Sequence, residues 1–377
     1  MPSLDAARAL LERHPLIDGH NDLPITLREA VDYDLARFDL AERQTRTQTD
    51  LVRLAEGGVG AQFWSVYVPG RWAGERAVTA TLEQIEFVRR MVATYPGRLA
   101  WAESADELER ANRDGLVASL IGAEGGHSID CSLGVLRTFY RLGVRYLTLT
   151  HNNNVPWADA ATDVPRLGGL SGFGREVVSE MNALGMMVDL SHAALGTMHD
   201  ALECTRAPVI FSHSSARALV DHVRNVPDEV LAALATNGGL CMVTFVPQFV
   251  SADCHAWEHE MLREMDAAGE DRRDLDRQEL AARRRADRVP PPEATIAQVA
   301  DHIEHVREVA DIGCVGIGGD FDGSPVMPAG LSDVSMYPRL FVELLDRHWS
   351  ERELAALARG NLLRVLRDVE SVAKAAR

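Results

Sequence analysis

GFGREVVSEMNALGMMVDLSH, residues 172–192, contains one whole unit of the fold. From 172 to 185 the apolar residues recur at intervals of three and four, and Gly185 stands where a helix would stop. Met186, Met187 and Val188 then open a short run with no apolar/polar alternation, the pattern of a strand buried on both faces. That run ends on His192. The unit is therefore a helix, a glycine, a buried strand and a histidine at the strand's carboxyl end.

Seven other runs of the same character lie along the chain: LID from 16, AQFWSVYV from 61, LVASLIGAEG from 116, VRYLTLTH from 144, PVIFSHSS from 208, GLCMVTFVP from 239 and CVGIGGDFDG from 314. Amphipathic stretches such as 227–239 separate them. Eight strand and helix alternations with no wet strand face predict a closed (β/α)8 TIM-type barrel rather than an open sheet. The 377 residues fit one barrel domain spanning 1–377. In such barrels the reactive groups gather at the carboxyl ends of the strands. His20 and Asp22, Glu124, His151, His192, His213, and Asp320 with Asp322 all fall at such ends.

The stretch 252–293 breaks the rhythm. It is dense in both charge signs, ends in three prolines and reads as a solvated helical insertion between strands seven and eight. It contains His255-Ala256-Trp257-Glu258-His259, formally the HxxEH string of inverted zinc peptidases, which here reads as two surface histidines on an exposed helix. His127, His199, His222, His302, His305 and His348 fall in loops or helical stretches and read as packing or surface residues.

Composition excludes several classes of function. The chain has 39 Lys plus Arg against 56 Asp plus Glu, and the resulting net charge of -17 would repel a nucleic acid backbone. No run is long enough to span a bilayer, and the start lacks the apolar stretch of a secretory signal. Five scattered cysteines without a CxxC pair fit reduced thiols. The expected setting is cytoplasmic, with no membrane anchor.

The strand-end residues suit a metal centre. Zn2+ takes imidazole nitrogen and carboxylate oxygen, and a catalytic ion keeps a position open for water. His20, Asp22, Glu124, His192 and His213 are too many donors for one such ion. They fit two ions sharing a bridging carboxylate and a bridging hydroxide, with Asp320 balancing the remaining positive charge.

The segments LIDGHNDLP, AQFWSVYVP, GAEGGHSI, LTLTHNNNVPWAD, GREVVSEMNALGMMVDLSH, PVIFSHSSARAL, DHVRNVPDEVL and GIGGDFDG resemble the renal (membrane) dipeptidase family, the M19 peptidases of the amidohydrolase superfamily, from about residue 15 to 365. The resemblance implies a binuclear zinc dipeptidase. Carried over by position, His20 and Asp22 hold one zinc, His192 and His213 the other, and Glu124 bridges them. By the same resemblance His151 contacts the substrate carbonyl and stabilises its oxyanion, and Arg224 binds the dipeptide carboxylate. Asp320 handles the amino group and shuttles the proton, whereas Asp322 belongs to the loop. Trp64, Tyr67 and Trp157 either line the substrate pocket or pack in the core.

The expected reaction is hydrolysis of a dipeptide by attack of the metal-bridging hydroxide. Family members can also cleave L,D dipeptides or β-lactams, and are often homodimers. The competing readings are another binuclear-zinc hydrolase of the same scaffold, of lactonase or β-lactamase type, and a non-catalytic metal-binding protein. The mammalian members resemble secreted, lipid-anchored proteins with disulfides, so a soluble, bacterial-type member is expected here.

Overall fold

A computed structural model describes residues 3–375. Its strands are β1 (Leu16–Asn21), β2 (Val59–Tyr67), β3 (Leu99–Trp101), β4 (Val117–Glu124), β5 (Val144–Thr148), β6 (Met187–Asp189), β7 (Val209–Ser214), β8 (Leu240–Val243) and β9 (Val315–Ile317). All pair in parallel. The order β2-β1-β9-β8-β7-β6-β5-β4 closes on itself through β2 and β4, which gives the expected eight-stranded barrel. β3 stands outside that ring. It occupies the lower edge of β4, opposite Val117 to Ser119, below the point where β5 takes over at Ile121. Three residues are too few to show a period, so the sequence analysis passed over it.

Strand parity divides the interior into two cores. Phe63, Leu120, Tyr146, Met187, Ile210 and Met242 form one cluster that continues into Leu362 and Leu366 of the C-terminal helix. Their immediate successors, Trp64, Ile121, Leu147, Val188, Phe211 and Val243, belong to the other cluster, packed beneath the surrounding helices. Alternate residues point to opposite faces of a strand, so the first set fills the barrel and the second faces outward. Two residues onward, the same inward parity presents Ser65, Thr148, Asp189 and Ser212, all fully buried and polar. The barrel thus has an apolar floor and a polar upper layer, and the site stands on that layer.

The unit read first forms as its residues dictate. The Ser171 side chain accepts a hydrogen bond from the Gly174 N–H to cap the helix Gly172–Leu184, Val177, Val178 and Met181 are buried, and Gly185 closes the helix with φ 87°. The charged stretch forms two helices, Ala252–Ala267 and Leu275–Ala286, around a small core of Met261, Met265 and Ala281. They rest on the barrel's loop end: Arg273 pairs with Asp163 at 2.7 Å in the loop after β5, and Arg71, after β2, pairs with Asp276 at 2.9 Å. No helix among the described residues is long and apolar enough to cross a membrane.

His302 is a buried packing residue whose Nδ1 accepts the Ala216 N–H at 3.0 Å. Burial lowers its pKa from 6.5 to about 4. Between those values the unfolded chain binds a proton that the folded chain refuses. Stability is therefore highest above pH 6.5 and falls as the pH drops toward 4, by up to about 3 kcal/mol from this residue. His302→Asn keeps an acceptor near the Ala216 N–H and abolishes the titration. Urea unfolding at pH 7 and pH 4.5 should show a smaller loss on acidification in the variant than in the wild type.

Candidate metal centre and substrate pocket

The five predicted ligands meet at the carboxyl ends of the strands, and all are buried. Glu124 divides them. Its Oε2 lies 3.4 Å from His20 Nε2, which is itself 3.2 Å from Asp22 Oδ2. Its Oε1 lies 3.1 Å from His192 Nε2 and 3.4 Å from His213 Nε2. Each carboxylate oxygen thus faces a separate pair of donors. The two histidine Nε2 atoms of the second pair are 3.0 Å apart.

The hydrogen bonds beneath these rings fix which nitrogen faces the cluster. Tyr146 donates its hydroxyl hydrogen to the Gly19 carbonyl and so receives the His20 Nδ1–H at 2.9 Å. Ser212 Oγ donates to Asp189 Oδ2 at 2.6 Å and receives the His213 Nδ1–H at 2.8 Å. In both rings Nδ1 is occupied by these contacts and Nε2 is the nitrogen turned into the cluster, the orientation a metal ligand requires. Asp189 is held in turn by the Ser191 and Ser212 N–H groups and the Thr148 hydroxyl. Gly122 is required here: a Cβ at that position would lie 1.8 Å from the Tyr146 ring, which reaches past it toward His20.

This supporting layer leaves only a faint trace in the sequence. Asp189 interrupts an apolar run, as Asp18 does in β1, and a buried acid in a strand was the signal that could have revealed it. Asp18 accepts from the His20 and Gly319 N–H groups and the Tyr337 hydroxyl, joining β1 to the loop that carries Asp320.

The donor set carries one positive charge, on His20, whose pKa the neighbouring Tyr146, Glu124 and Asp22 hold well above 6.5 despite its burial, against the crowded carboxyl groups of Asp22, Glu124 and Asp320. Burial raises the pKa of Asp320 well above the usual carboxylate range, and Asp22 and Glu124 add to this by repulsion. Glu124 is raised for the same two reasons. Burial, with Arg224 among the neighbouring charges, pushes His192 and His213 well below 6.5, so both are neutral at pH 7. Asp22 Oδ1 and His192 Nδ1 are buried without a hydrogen-bond partner among the described residues. Two neutral imidazoles, crowded carboxylates and an orphaned oxygen together fit divalent cations.

The remaining predicted residues surround this cluster. His151 Nε2 is 3.8 Å from Glu124 Oε1, and Asp320 Oδ1 is 3.9 Å from His20 Nε2. His192 and Asp320 both take left-handed backbone conformations, φ 66° and 61°. Such strain persists where the surroundings over-determine the geometry, as they do in this layer. Gly323 admits the two acids: a Cβ there would meet Asp22 Oδ2 and Asp320 Oδ1 at 2.3 Å each. Asp322 is turned away and accepts the Gln48 N–H at 2.7 Å. Among the aromatic candidates, Tyr67 lies against the His151 ring at 4.6 Å, whereas Trp64 and Trp157 are buried in the core.

Arg224 is 3 % exposed, and its guanidinium has only long contacts, 3.4 Å to Ser214 Oγ and 3.4 Å to the His213 carbonyl oxygen. No carboxylate among the described residues forms an ion pair with it. Burial lowers its pKa to about 10, so it remains charged at pH 7.

His222 is a buried packing residue that hydrogen-bonds Glu258 at 3.1 Å, whereas the expected pair of surface histidines at 255 and 259 is corrected. His255 is half-buried with its ring 4.9 Å from His222, so only His259 of the HxxEH pair is a surface histidine. Helical periodicity showed the exposed side of that segment but not the loop that its other side meets.

The chain is similar to known proteins over nearly its whole length. Residues 4–377 match the family described as membrane dipeptidase, peptidase family M19. Dipeptidase 3 of Mus musculus is 45 % identical over 373 residues, covering 98 % of this chain and 67 % of that protein. The probable dipeptidase PvdM from Pseudomonas aeruginosa shares the fold, with TM-score 0.85, 22 % identity and 98 % of each chain covered. The metallopeptidase dipeptidase AC superposes with TM-score 0.78 at 25 % identity, over 94 % of this chain and 98 % of that one.

Proposed function

The chain belongs to the membrane dipeptidase family and is a metal-dependent dipeptidase, and from that premise we propose which residues perform the hydrolysis. His20 and Asp22 would hold one zinc ion and His192 and His213 a second, with Glu124 shared between the two pairs. Imidazole and carboxylate donors around a water-accessible position suit zinc. When bound, the ions supply a water acidic enough to attack at neutral pH and polarise the scissile carbonyl.

The protein's own groups do the rest. Arg224 takes the dipeptide's free carboxylate in a two-pronged contact. This assignment rests on one observation: a buried, charged guanidinium beside the cluster with no carboxylate of its own. His151 is neutral because burial, with the positive Arg224 nearby, holds its pKa well below 6.5. It therefore stabilises the developing oxyanion by donating a hydrogen bond rather than a proton. Asp320 receives the proton of the attacking water and delivers it to the departing amine. Holding both ends of the substrate limits it to two residues. A reducing, cytoplasmic setting belongs to the same proposal, supported by five free thiols of which Cys241, Cys254 and Cys314 are buried.

The test is a library of L,L and L,D dipeptides with free amino acid as the readout. Chelator-treated protein should be inactive, and activity should return on titration with zinc and reach a plateau at two ions per chain. A plateau at one ion would refute the paired arrangement.

A further inference from the structure

The loop after β7 carries Arg224, and its backbone N–H donates to His222 Nδ1 at 3.1 Å. The same imidazole reaches Glu258 Oε2 through Nε2 at 3.1 Å, and Glu258 belongs to the insertion helix Ala252–Ala267. Phe249 completes the support: the His222 ring packs on it at 4.4 Å, and the Arg224 guanidinium carbon stands 5.3 Å from its centroid. A guanidinium that must meet a carboxylate with both prongs needs its main chain held, because its long side chain is otherwise free to rotate.

His222, His255 and Glu258 also lie close enough together to suggest a cation site. The hydrogen bonding opposes that reading. Nδ1 of His222 already uses its lone pair on the Arg224 N–H, so the ring's proton sits on Nε2 and is donated to Glu258. Nε2 then has no lone pair for a metal.

We propose that Glu258 is a positioning residue for substrate binding: through His222 it holds the Arg224 backbone, so that the charged insertion forms part of the subsite for the dipeptide's carboxylate. This rests on the reading of Arg224 as that subsite. The helix pair's other ties, Arg273 to Asp163 and Asp276 to Arg71, anchor it to two more loops at the same mouth.

The test compares Glu258→Ala and Glu258→Gln on a free dipeptide and on the corresponding dipeptide amide, whose neutral end makes no use of Arg224. In Glu258→Ala, KM for the free dipeptide should rise about 10-fold with kcat within about 2-fold, and kcat/KM for the amide should hold within about 2-fold. Glu258→Gln retains an oxygen to accept the His222 N–H and should restore KM to within about 3-fold of wild type. In an Arg224→Met background, Glu258→Ala should add nothing further to KM.

The proposal is overturned if kcat falls equally on acid and amide, if the KM effect persists without Arg224, or if Glu258→Ala releases a third metal ion from the loaded protein. Arg224→Met alone provides the separate control. Should it leave the preference for acid over amide intact, the carboxylate reading itself fails, and the role of Glu258 with it. Should it abolish that preference while Glu258→Ala leaves KM unchanged, only the positioning role fails.

Discussion

Glu124→Gln should lower kcat/KM for dipeptides by about 10³- to 10⁴-fold and reduce bound zinc from two ions per chain to one or fewer. The reason is geometric as well as electrostatic. Glu124 faces His20 and Asp22 with one oxygen and His192 and His213 with the other. An amide offers a single acceptor, and its NH2 end would donate into the Nε2 lone pairs of one histidine pair and occupy them. One buried negative charge is lost as well, where two divalent ions need compensation. In the metal-free protein the substitution removes a carboxyl that crowds Asp22 and Asp320 but also a counter-charge of His20, so thermal stability without metal should change little. The stabilisation on adding zinc should shrink sharply. Metal analysis and melting curves with and without zinc measure both effects. Full zinc content in an active variant would refute the bridging role.

Arg224→Met should reduce kcat/KM for a free dipeptide by about 10²- to 10³-fold, almost wholly through KM, as expected for a buried charged contact of roughly 3–4 kcal/mol. A dipeptide amide should be turned over within about 3-fold of the wild-type rate, because it brings no carboxylate to the subsite. Met retains an apolar side chain to lie on Phe249, and the change removes a buried charge without a counterion. The variant should therefore melt no lower than wild type. The same experiment separates the dipeptidase from a lactonase on this scaffold, whose neutral substrate would lose nothing. Equal losses on acid and amide would remove Arg224 from the carboxylate subsite.

Much of this molecule could be read before its structure. Every barrel strand corresponds to an apolar run, because a parallel strand covered by helices is buried on both faces and leaves an uninterrupted apolar trace. The candidate site residues stand out for a related reason: His20, Glu124, His192 and His213 are polar groups that end such runs, and that is where a barrel gathers its chemistry. β3 was not legible, since Leu99–Trp101 is too short to carry a pattern and exists by borrowing an edge of β4.

Order along the chain therefore determined the barrel and the places where its candidate ligands emerge, since burial and parity are properties of a residue and its close neighbours in sequence. Tertiary structure alone decided what those residues do to one another. Tyr146 holds the ring of His20 from 126 positions away, and Glu258 reaches Arg224 only through His222, 36 positions before it. Such hydrogen bonds depend on distances and angles across the closed barrel and its insertion, and no periodicity in one dimension records them.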